Sequence, residues 1–254
     1  YDYTVFTNLT HDHLDFHKTM ENYALAKMKV FEDLKSGGKA ILNSDSEYCN
    51  YYSLDKNINI TYGKNSNDYK LVDFKFSPIG TSFKIEFDKK IYPFNMKLIG
   101  EYNVYNVLPV IIILKDIGFS FEEIAGVLPK LNNGKGRMET VNYGSNMIVV
   151  DYAHTPNGIA KLLNFVHTLD INRSIVVIGQ AGERDPYKRP KVGNVVVENA
   201  THAIFTYEDP RSEDPMKICE DIISELKATH NNYEIVIDRR EAINKAVNMA
   251  GPKD

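Results

Sequence analysis

The fold is decided by residues 134–156, which read GKGRMETVNYGSNMIVVDYAHTP. This stretch opens as a Gly/Lys-rich loop and becomes an apolar strand, Met147-Ile-Val-Val150, that ends on Asp151. Thr155-Pro156 then gives a helix start signal. We therefore predict an interdomain hinge at residues 134–136, with one domain ending before it and an α/β unit following it. A charged strand end beside a hinge is a favourable position for a ligand.

The composition is that of a globular protein, with 43% hydrophobic and 25% charged residues in a chain of 254. A net charge of −4 gives no reason to expect nucleic acid or an anionic membrane as a partner, and no apolar run is long enough to span a bilayer. Cys49 and Cys219 have neither metal nor disulfide spacing, which fits a reducing compartment. We therefore expect a cytoplasmic protein that binds neither nucleic acid nor membranes.

Before the hinge, hydrophobic periodicity predicts helices and strands in mixed order. The predicted strands are 3–6, 40–42 and 58–62, and the predicted helices are 21–35, 103–117 and 121–128. Ser120 and Glu123 have the spacing of a capping box for the third helix. Three segments separated by turn-forming residues, 69–76, 81–87 and 91–98, are predicted to form a small antiparallel β segment.

After the hinge, predicted strands alternate regularly with predicted helices. The strands are 147–150, 174–178, 203–206 and 234–237, and the helices are 156–169, 190–199, 215–228 and 240–249. Such alternation predicts an α/β fold with a mostly parallel sheet and helices on both faces. Functional groups should gather at the C-terminal strand ends, at Asp151, 179–182 and 207–211.

The segment from His11 to His17, HDHLDFH, is the densest cluster of metal-capable side chains. A hydrolytic metal site of the H-x-H-x-D-H type is one interpretation, but Phe16 stands where that pattern needs a histidine. A second interpretation is a polar loop whose histidines cap backbone groups. A third is a magnesium site in which one histidine helps to hold the ion against phosphate oxygens.

Lys27 is expected on the apolar face of the first predicted helix, with Tyr23, Val30, Phe31 and Leu34 at three- and four-residue spacing. A lysine in such a position usually extends its ammonium group to water. A buried lysine can instead be held as a neutral amine. A neutral amine can take up carbon dioxide to form a carbamate, which is an oxygen ligand for a hard cation.

Several segments occur in the order found in the Mur ligase family. They are Thr7-Asn-Leu-Thr-His-Asp-His-Leu-Asp-Phe-His17, Met20-Glu-Asn-Tyr-Ala-Leu-Ala-Lys27, Gly100-Glu-Tyr-Asn-Val-Tyr-Asn106, Gly136-Arg-Met-Glu139, Asp151-Tyr-Ala-His-Thr-Pro156, Arg184-Asp185 with Lys188-Arg-Pro190, and Glu208-Asp-Pro-Arg-Ser-Glu-Asp-Pro215. Each motif alone is modest, but the ordered set spans nearly the whole chain. The sequence therefore resembles the Mur ligases.

The resemblance implies two domains and an ATP-dependent reaction. Residues 1–134 would be the C-terminal part of the central ATP-binding domain, and residues 135–254 a Rossmann-like amino-acid-binding domain. A carboxylate of UDP-MurNAc-L-Ala-D-Glu would attack the γ-phosphate of ATP, and the amino group of a diamino acid (meso-diaminopimelate or lysine) would displace phosphate from the resulting acyl phosphate. The implied protein uses ATP and Mg²⁺ and acts as a monomer.

The resemblance also assigns roles to individual residues. His13 and Lys27 match catalytic magnesium ligands, with Lys27 as its carbamate. Asn103 and Asn106 match residues near adenine, although an asparagine at a helix start is also a common N-cap. The groups that hold ATP are matched by Arg137 and Asp151, which are flanked by Tyr152 and His154. The site for the carboxylate of the added amino acid is matched by Arg184 and Arg211, with Asp209 and Pro210 in the same loop as Arg211.

The sequence departs from the family pattern in four ways. It contains neither a Gly-x-x-Gly-Lys-[Ser/Thr] phosphate loop nor a Gly-Lys-Gly-His-Glu motif. We therefore expect the chain to belong to a longer protein and to lack ligase activity by itself. Glu208-Asp209-Pro210-Arg211 replaces the usual Asp-Asn-Pro-Arg, and Pro186 stands where lysine is common. Arg211 favours diaminopimelate and Asp209 does not, so both diamino acids remain open.

Two alternatives remain at this stage. The first is another Mur-type ligase with a different acceptor, such as a folylpolyglutamate or cyanophycin enzyme. Arg184 and the Asp-Pro-Arg loop argue against it. The second is a non-catalytic module that binds a nucleotide or an amino acid without turning it over.

Overall fold

The computed structural model describes residues 1–54, 58–77 and 80–254. The described residues divide into two compact units. Unit 1 consists of Tyr1–Thr10 and Thr19–Asn133, and unit 2 consists of His11–Lys18 and Gly134–Asp254. The short segment His11–Lys18 is thus grouped with the second half of the chain. The predicted domain boundary between residues 134 and 135 stays a prediction.

The described part of unit 1 holds one sheet of six strands in the order β1-β2-β3-β4-β5-β6. The first four strands pair in parallel, and β4, β5 and β6 pair antiparallel. The predicted antiparallel segment is therefore confirmed. The strands are β1 (Tyr3–Phe6), β2 (Lys39–Asn43), β3 (Ile58–Gly63), β4 (Tyr69–Ser77), β5 (Gly80–Phe87) and β6 (Lys90–Met96).

Helices pack on both faces of this sheet. Successive side chains of a strand point to opposite sides, so each face offers apolar side chains to a separate layer of helices. On β2, Ile41 joins one core and Leu42 joins another. The first core includes residues of α3 (Glu101–Asp116) and α4 (Phe121–Val127). The second includes Phe31 of α2 (Met20–Glu32), whose N-cap Thr19 accepts a hydrogen bond from the Asn22 amide. The predicted capping box of Ser120 and Glu123 is present at α4.

Unit 2 contains a parallel sheet and a separate hairpin among its described residues. Strands β9 (Ile175–Ile178), β10 (His202–Phe205) and β11 (Tyr233–Ile235) form the parallel sheet in the order β11-β10-β9. Strands β7 (Glu139–Tyr143) and β8 (Asn146–Val150) form the hairpin. The sequence analysis had assigned 147–150 to the parallel sheet. The strand forms as predicted, but its ladder partner is β7.

The reason lies in the turn between β7 and β8. Tyr143 pairs with Asn146, which leaves Gly144 and Ser145 as a two-residue connection. Gly144 has φ 62°, the left-handed conformation that short hairpin turns require and that glycine adopts without steric penalty. A local antiparallel partner therefore takes the hydrogen bonds of β8.

The helices of unit 2 cover both faces of its parallel sheet. Side chains of Phe205, Val196 and Ile218 belong to one core, while the buried Ile204 points to the opposite face, where α8 contacts β9 and β10. The helices are α1 (Leu14–His17), α5 (Pro156–Val166), α6 (Arg189–Asn199), α7 (Pro215–Ile223) and α8 (Arg239–Met249). This arrangement confirms the predicted α/β architecture. Across the part of the chain that the structure describes, we find no helix with the length and apolar character needed to cross a bilayer.

Candidate active site

The loops that follow β9 and β10 lie directly against each other. The Gly182 amide donates a hydrogen bond to the Asp209 carbonyl at 2.8 Å. A Cβ atom at Gly182 would stand 2.0 Å from the Pro210 carbonyl oxygen, and one at Gly179 would stand 2.4 Å from the Thr206 carbonyl oxygen. Only glycine permits this approach of two backbones. Two of the three strand ends that the sequence analysis singled out, 179–182 and 207–211, are therefore brought together.

A cavity of about 830 Å³ opens in unit 2 at these strand ends. Its walls combine apolar side chains of β8, β9, α5 and α8 with a group of charged side chains. Such a mixture suits a small molecule that carries its own charges. The predicted site residues in its lining are His13, Asp151, Tyr152, His154, Arg184, Asp209 and Arg211.

Arg211 and Arg184 are the two cations that the sequence analysis assigned to a carboxylate. Both are exposed and both line the cavity. Arg211 has φ 50°, and its Nε lies 3.7 Å from the Asp209 carboxylate, with 34% of the side chain exposed. The guanidinium groups are thus accessible to a planar anion that accepts two parallel hydrogen bonds. Asp209 adds a negative charge beside Arg211.

Arg189 is a buried residue to which the sequence analysis gave no role. Its side chain is 2% exposed, and its two terminal nitrogens donate to Glu213 at 2.8 and 2.9 Å. One of them also donates to Asp221 of α7 at 2.9 Å. The hydrogen bond from Arg189 holds the pKa of Glu213 below its ordinary value. Arg189 therefore fixes the loop after β10 against α6 and α7.

Asp12 was also missed, and it is the centre of a charged cluster in unit 2. Its carboxylate lies 3.2 Å from Lys188 Nζ, 3.4 Å from His13 Nε2 and 3.5 Å from His154 Nε2. Burial alone would raise the pKa of Asp12, but the His154 hydrogen bond and the Lys188 and His13 charges hold that pKa well below its ordinary value. The same hydrogen bond raises the pKa of His154. Opposite charges at this separation favour the ionised forms of Asp12 and His154.

A second carboxylate, Asp185, lies beside this cluster. It is 1% exposed and accepts from His11 Nε2 at 3.0 Å and from the Tyr187 amide at 3.0 Å. Lys191 Nζ in turn donates to His11 Nδ1 at 3.2 Å. The histidines at positions 11 and 13 therefore contact carboxylates, whereas the polar-loop interpretation expected them to cap backbone groups.

The described residues provide few candidate ligands for a metal ion. Within the described ranges, no group of three His, Cys, Asp or Glu side chains is arranged for metal binding. A hydrolytic metal site of the H-x-H-x-D-H type therefore has no support in this part of the chain. A magnesium ion bound mainly by phosphate oxygens and water needs few protein ligands. The assignment of His13 and Lys27 to such an ion stays a prediction.

Asp151, Tyr152 and Arg137 organise the predicted hinge. Both oxygens of Asp151 accept backbone hydrogen bonds, from the Met138 amide at 2.9 Å and the Ala153 amide at 2.8 Å. The exposed Arg137 guanidinium stands 4.5 Å from the centre of the Tyr152 ring, a cation–π contact. Asp151 thus stabilises the loop in which these side chains stand. Their predicted roles toward ATP remain predictions.

Three predicted site residues belong to unit 1. Lys27 is exposed on α2, with Nζ 5.0 Å from the centre of the Tyr23 ring. The buried residues of α2 are Ala24 and Phe31, and Val30 is exposed, so the predicted apolar face was wrong to include Val30. The expected place of Lys27 on a buried apolar face is therefore not found.

Asn103 and Asn106 are on the first turns of α3. The helix begins at Glu101 with Gly100 as its N-cap. Neither asparagine is therefore the N-cap, which was the alternative to a role near adenine. Asn103 Nδ2 donates to the Ile99 carbonyl at 2.8 Å, and Asn106 is exposed. Their predicted position near adenine stays a prediction.

The fold and the cavity together define an α/β protein with a cavity of mixed apolar and charged lining at the strand ends of unit 2. Residues 1–114 match the Mur ligase middle domain, and residues 136–254 match the Mur ligase glutamate ligase domain. The chain therefore belongs to the Mur ligase family.

Individual relatives carry more specific names. UDP-N-acetylmuramoyl-L-alanyl-D-glutamate–2,6-diaminopimelate ligase 1 of Clostridium acetobutylicum is 39% identical over 98% of this chain and 52% of its own length. A solved structure of a UDP-N-acetylmuramoyl-L-alanyl-D-glutamate–2,6-diaminopimelate ligase is 30% identical, with a TM-score of 0.59, over 99% of this chain and 53% of that one. This chain spans about half the length of the curated relatives it matches.

A more distant neighbour shares the fold. The structure of Mycobacterium tuberculosis folylpolyglutamate synthase, complexed with ADP and AMPPCP, gives a TM-score of 0.80 at 15% identity and covers 98% of this chain and 57% of that one. At this identity the likeness concerns the fold alone.

Proposed function

We propose that the protein is an ATP-dependent amide ligase of peptidoglycan precursor synthesis, which joins a diamino acid to UDP-MurNAc-L-Ala-D-Glu. The observation that carries this proposal is the placement of Arg184 and Arg211 on adjoining loops at one cavity. The names of relatives at 38–39% identity support the same reaction.

The reaction has two steps. A carboxylate oxygen of the UDP-MurNAc-dipeptide attacks the γ-phosphate of ATP, which forms an acyl phosphate and releases ADP. The neutral amino group of the diamino acid then attacks the acyl carbon, an amide bond forms, and inorganic phosphate leaves. The protein contributes by holding the amino group in line with the acyl carbon, because positioning supplies much of the rate enhancement in such transfers.

The amino-acid substrate that we propose is meso-diaminopimelate. It carries two carboxylates, and two arginines, Arg184 and Arg211, line the cavity. Lysine has one carboxylate, so one of the two guanidinium groups would have no substrate carboxylate to bind. The Asp209 carboxylate beside Arg211 can accept hydrogen bonds from a substrate ammonium group. The zwitterionic end of diaminopimelate therefore offers a carboxylate to Arg211 and an ammonium group to Asp209.

The remaining predicted residues complete the proposal. Asn103, Asn106, Arg137, Asp151, Tyr152 and His154 serve ATP. His13 and the Lys27 carbamate would hold magnesium, which neutralises phosphate charge when bound. The protein acts in the cytoplasm as a monomer, without nucleic acid or membrane partners.

An amino-acid panel on the full-length protein tests the proposal. Phosphate release would be measured with ATP, UDP-MurNAc-L-Ala-D-Glu and either meso-diaminopimelate, L-lysine or D-lysine, and reactions without the dipeptide would serve as controls. We expect dipeptide-dependent turnover that is highest with meso-diaminopimelate. A preference for lysine would contradict the assignment of diaminopimelate as the substrate but would still support ligase activity. Absence of turnover with every amino acid would contradict the ligase itself.

A further inference from the structure

In unit 2, the dipeptide His11-Asp12 contacts both ends of a short turn. The turn runs from Asp185 to Lys188. His11 contacts Asp185 at 3.0 Å, and Asp12 contacts Lys188 at 3.2 Å. Adjacent residues at positions 11 and 12 thus bind two groups that lie three positions apart on the facing loop. Within unit 2, this double contact joins segments more than 170 residues apart in sequence.

The Asp12–Lys188 pair has little access to water. The Lys188 side chain is 7% exposed and that of Asp12 is 16% exposed. A lysine ammonium group so far from solvent needs an anionic partner, because an unpaired buried charge loses its hydration without compensation. Removing the Asp12 charge would therefore disturb the position of Lys188 more than the loss of a surface ion pair would.

The turn held in this way carries a proposed substrate ligand. Arg184 immediately precedes Asp185 and lines the same cavity as Asp12 and Lys188. Arg184 itself is exposed. The direction of its guanidinium group therefore depends on the backbone of the turn. A shift of the turn by a fraction of a hydrogen-bond length would misalign two parallel hydrogen bonds to a carboxylate.

We propose that Asp12 is a positioning residue for the amino-acid site: by holding Lys188 it fixes the turn that presents Arg184 to a substrate carboxylate. This inference rests on the proposed function. Asp12 touches neither reacting group in this role. It acts through Lys188, and the His11–Asp185 contact supports the other end of the same turn.

The test uses the full-length enzyme and the variant Asp12→Asn, which removes the charge and keeps the shape. We expect the KM for meso-diaminopimelate to rise about tenfold, equivalent to about 1.4 kcal/mol. The KM for MgATP should rise clearly less, although Asp12 also contacts His13 and His154, which are proposed to serve magnesium and ATP. Lys188→Met should give a similar rise, and the double variant should be no worse than either single one, because both act on one contact. Asp12→Glu, which retains the charge, should recover part of the affinity.

Asp170→Asn is the matched control, since Asp170 forms an exposed ion pair with Lys253 in the same unit. It should leave both KM values unchanged. An unchanged KM for the amino acid in Asp12→Asn would overturn the proposal. So would an equal rise in the KM for MgATP, because that result would place the effect of Asp12 on His13 and the nucleotide.

A second readout does not depend on activity. Hydrogen–deuterium exchange should be faster in peptides covering 11–18 and 182–191 of Asp12→Asn, and unchanged in Asp170→Asn. If the wild-type enzyme turned over none of the amino acids, the proposed function would be contradicted. Hydrogen–deuterium exchange would still test the contact between Asp12 and Lys188. Unchanged exchange in Asp12→Asn would overturn the positioning role in either case.

Discussion

Arg211 is the residue whose side chain bears most directly on amino-acid binding. Truncation by Arg211→Ala in the full-length enzyme should raise the KM for the diamino acid by about 10- to 100-fold, because a charge-assisted hydrogen bond contributes about 1.5–3 kcal/mol. The KM for UDP-MurNAc-dipeptide should change little. Steady-state kinetics at saturating ATP would measure both values.

Arg240 provides the control for this substitution. It is an exposed arginine of α8 that lies outside the cavity lining. Arg240→Ala should leave the KM for the diamino acid unchanged. If Arg211→Ala were equally silent, the carboxylate would have to bind elsewhere.

At single positions, the sequence predicted which residues lie at the cavity better than it predicted which side chains are buried. Arg184, Arg211 and His154 line the cavity, as their places after predicted strands suggested. Lys27 was expected on an apolar face and is exposed, since the buried side of α2 is centred on Ala24 and Phe31. Three- and four-residue spacing identifies a stripe of a helix, but only packing decides where the buried stripe ends.

At the scale of elements, α6, α7 and the loop after β10 meet at Arg189. Its guanidinium group binds Glu213 of the loop and Asp221 of α7. Burial opposes ionisation of Asp221, but the hydrogen bonds from Lys217 and Arg189 leave its pKa lowered. The pKa of Glu213 is lowered mainly by Arg189. These carboxylates therefore stabilise the junction in their ionised forms.

The lowered pKa of Glu213 has a consequence for acid stability. A carboxylate with a lowered pKa in the folded protein contributes stability above its ordinary value of 4.5, and that contribution is lost as the pH falls through the folded value. Glu213→Gln should therefore destabilise the protein at pH 7, and the difference from wild type should shrink as the pH falls below about 4.5. Urea unfolding followed from pH 7 to pH 3 would measure this.

The control for this prediction is Glu220→Gln, on the exposed face of α7. It should destabilise the protein less at neutral pH, because surface charge pairs contribute little. A difference between Glu213→Gln and wild type that stayed constant over the whole pH range would contradict the proposed contribution of the Glu213 charge.

The element that the sequence placed incompletely is β8. Its apolar run was correctly predicted as a strand, and the periodicity contains no information on the partner. The two-residue turn at Gly144 and Ser145 makes β7 the nearest available strand in the chain. Pairing with such a neighbour requires little loop-closure entropy, whereas joining the parallel sheet requires a crossover.

At the scale of the whole molecule, the described residues of the two units have separate hydrophobic cores. Phe94 belongs to a core of unit 1, and Phe205 belongs to the core of unit 2. Each ring is almost completely buried, so replacement by alanine should cost about 3–5 kcal/mol. Phe205→Ala should reduce amide protection chiefly in β9, β10 and α6. Phe94→Ala should reduce it chiefly in β5, β6 and α3.

Native-state hydrogen exchange on both variants would measure the effects of these two substitutions. Each variant acts as the control for the other, since both lose a phenyl ring of the same size. An equal loss of protection in both units from either substitution would show that the cores do not respond separately.

The sequence by itself determined the order of the elements, their approximate ends and the family. These follow from local causes: hydrophobic period, caps such as Ser120 and Thr155, and motifs whose members lie close in the chain. Only the tertiary structure decided which charges meet. Asp12 and Lys188 are 176 positions apart, and Arg189 reaches Glu213 across a strand and a loop. Ion pairs of this kind depend on how strands are connected in space, so no local spacing in the sequence could predict them.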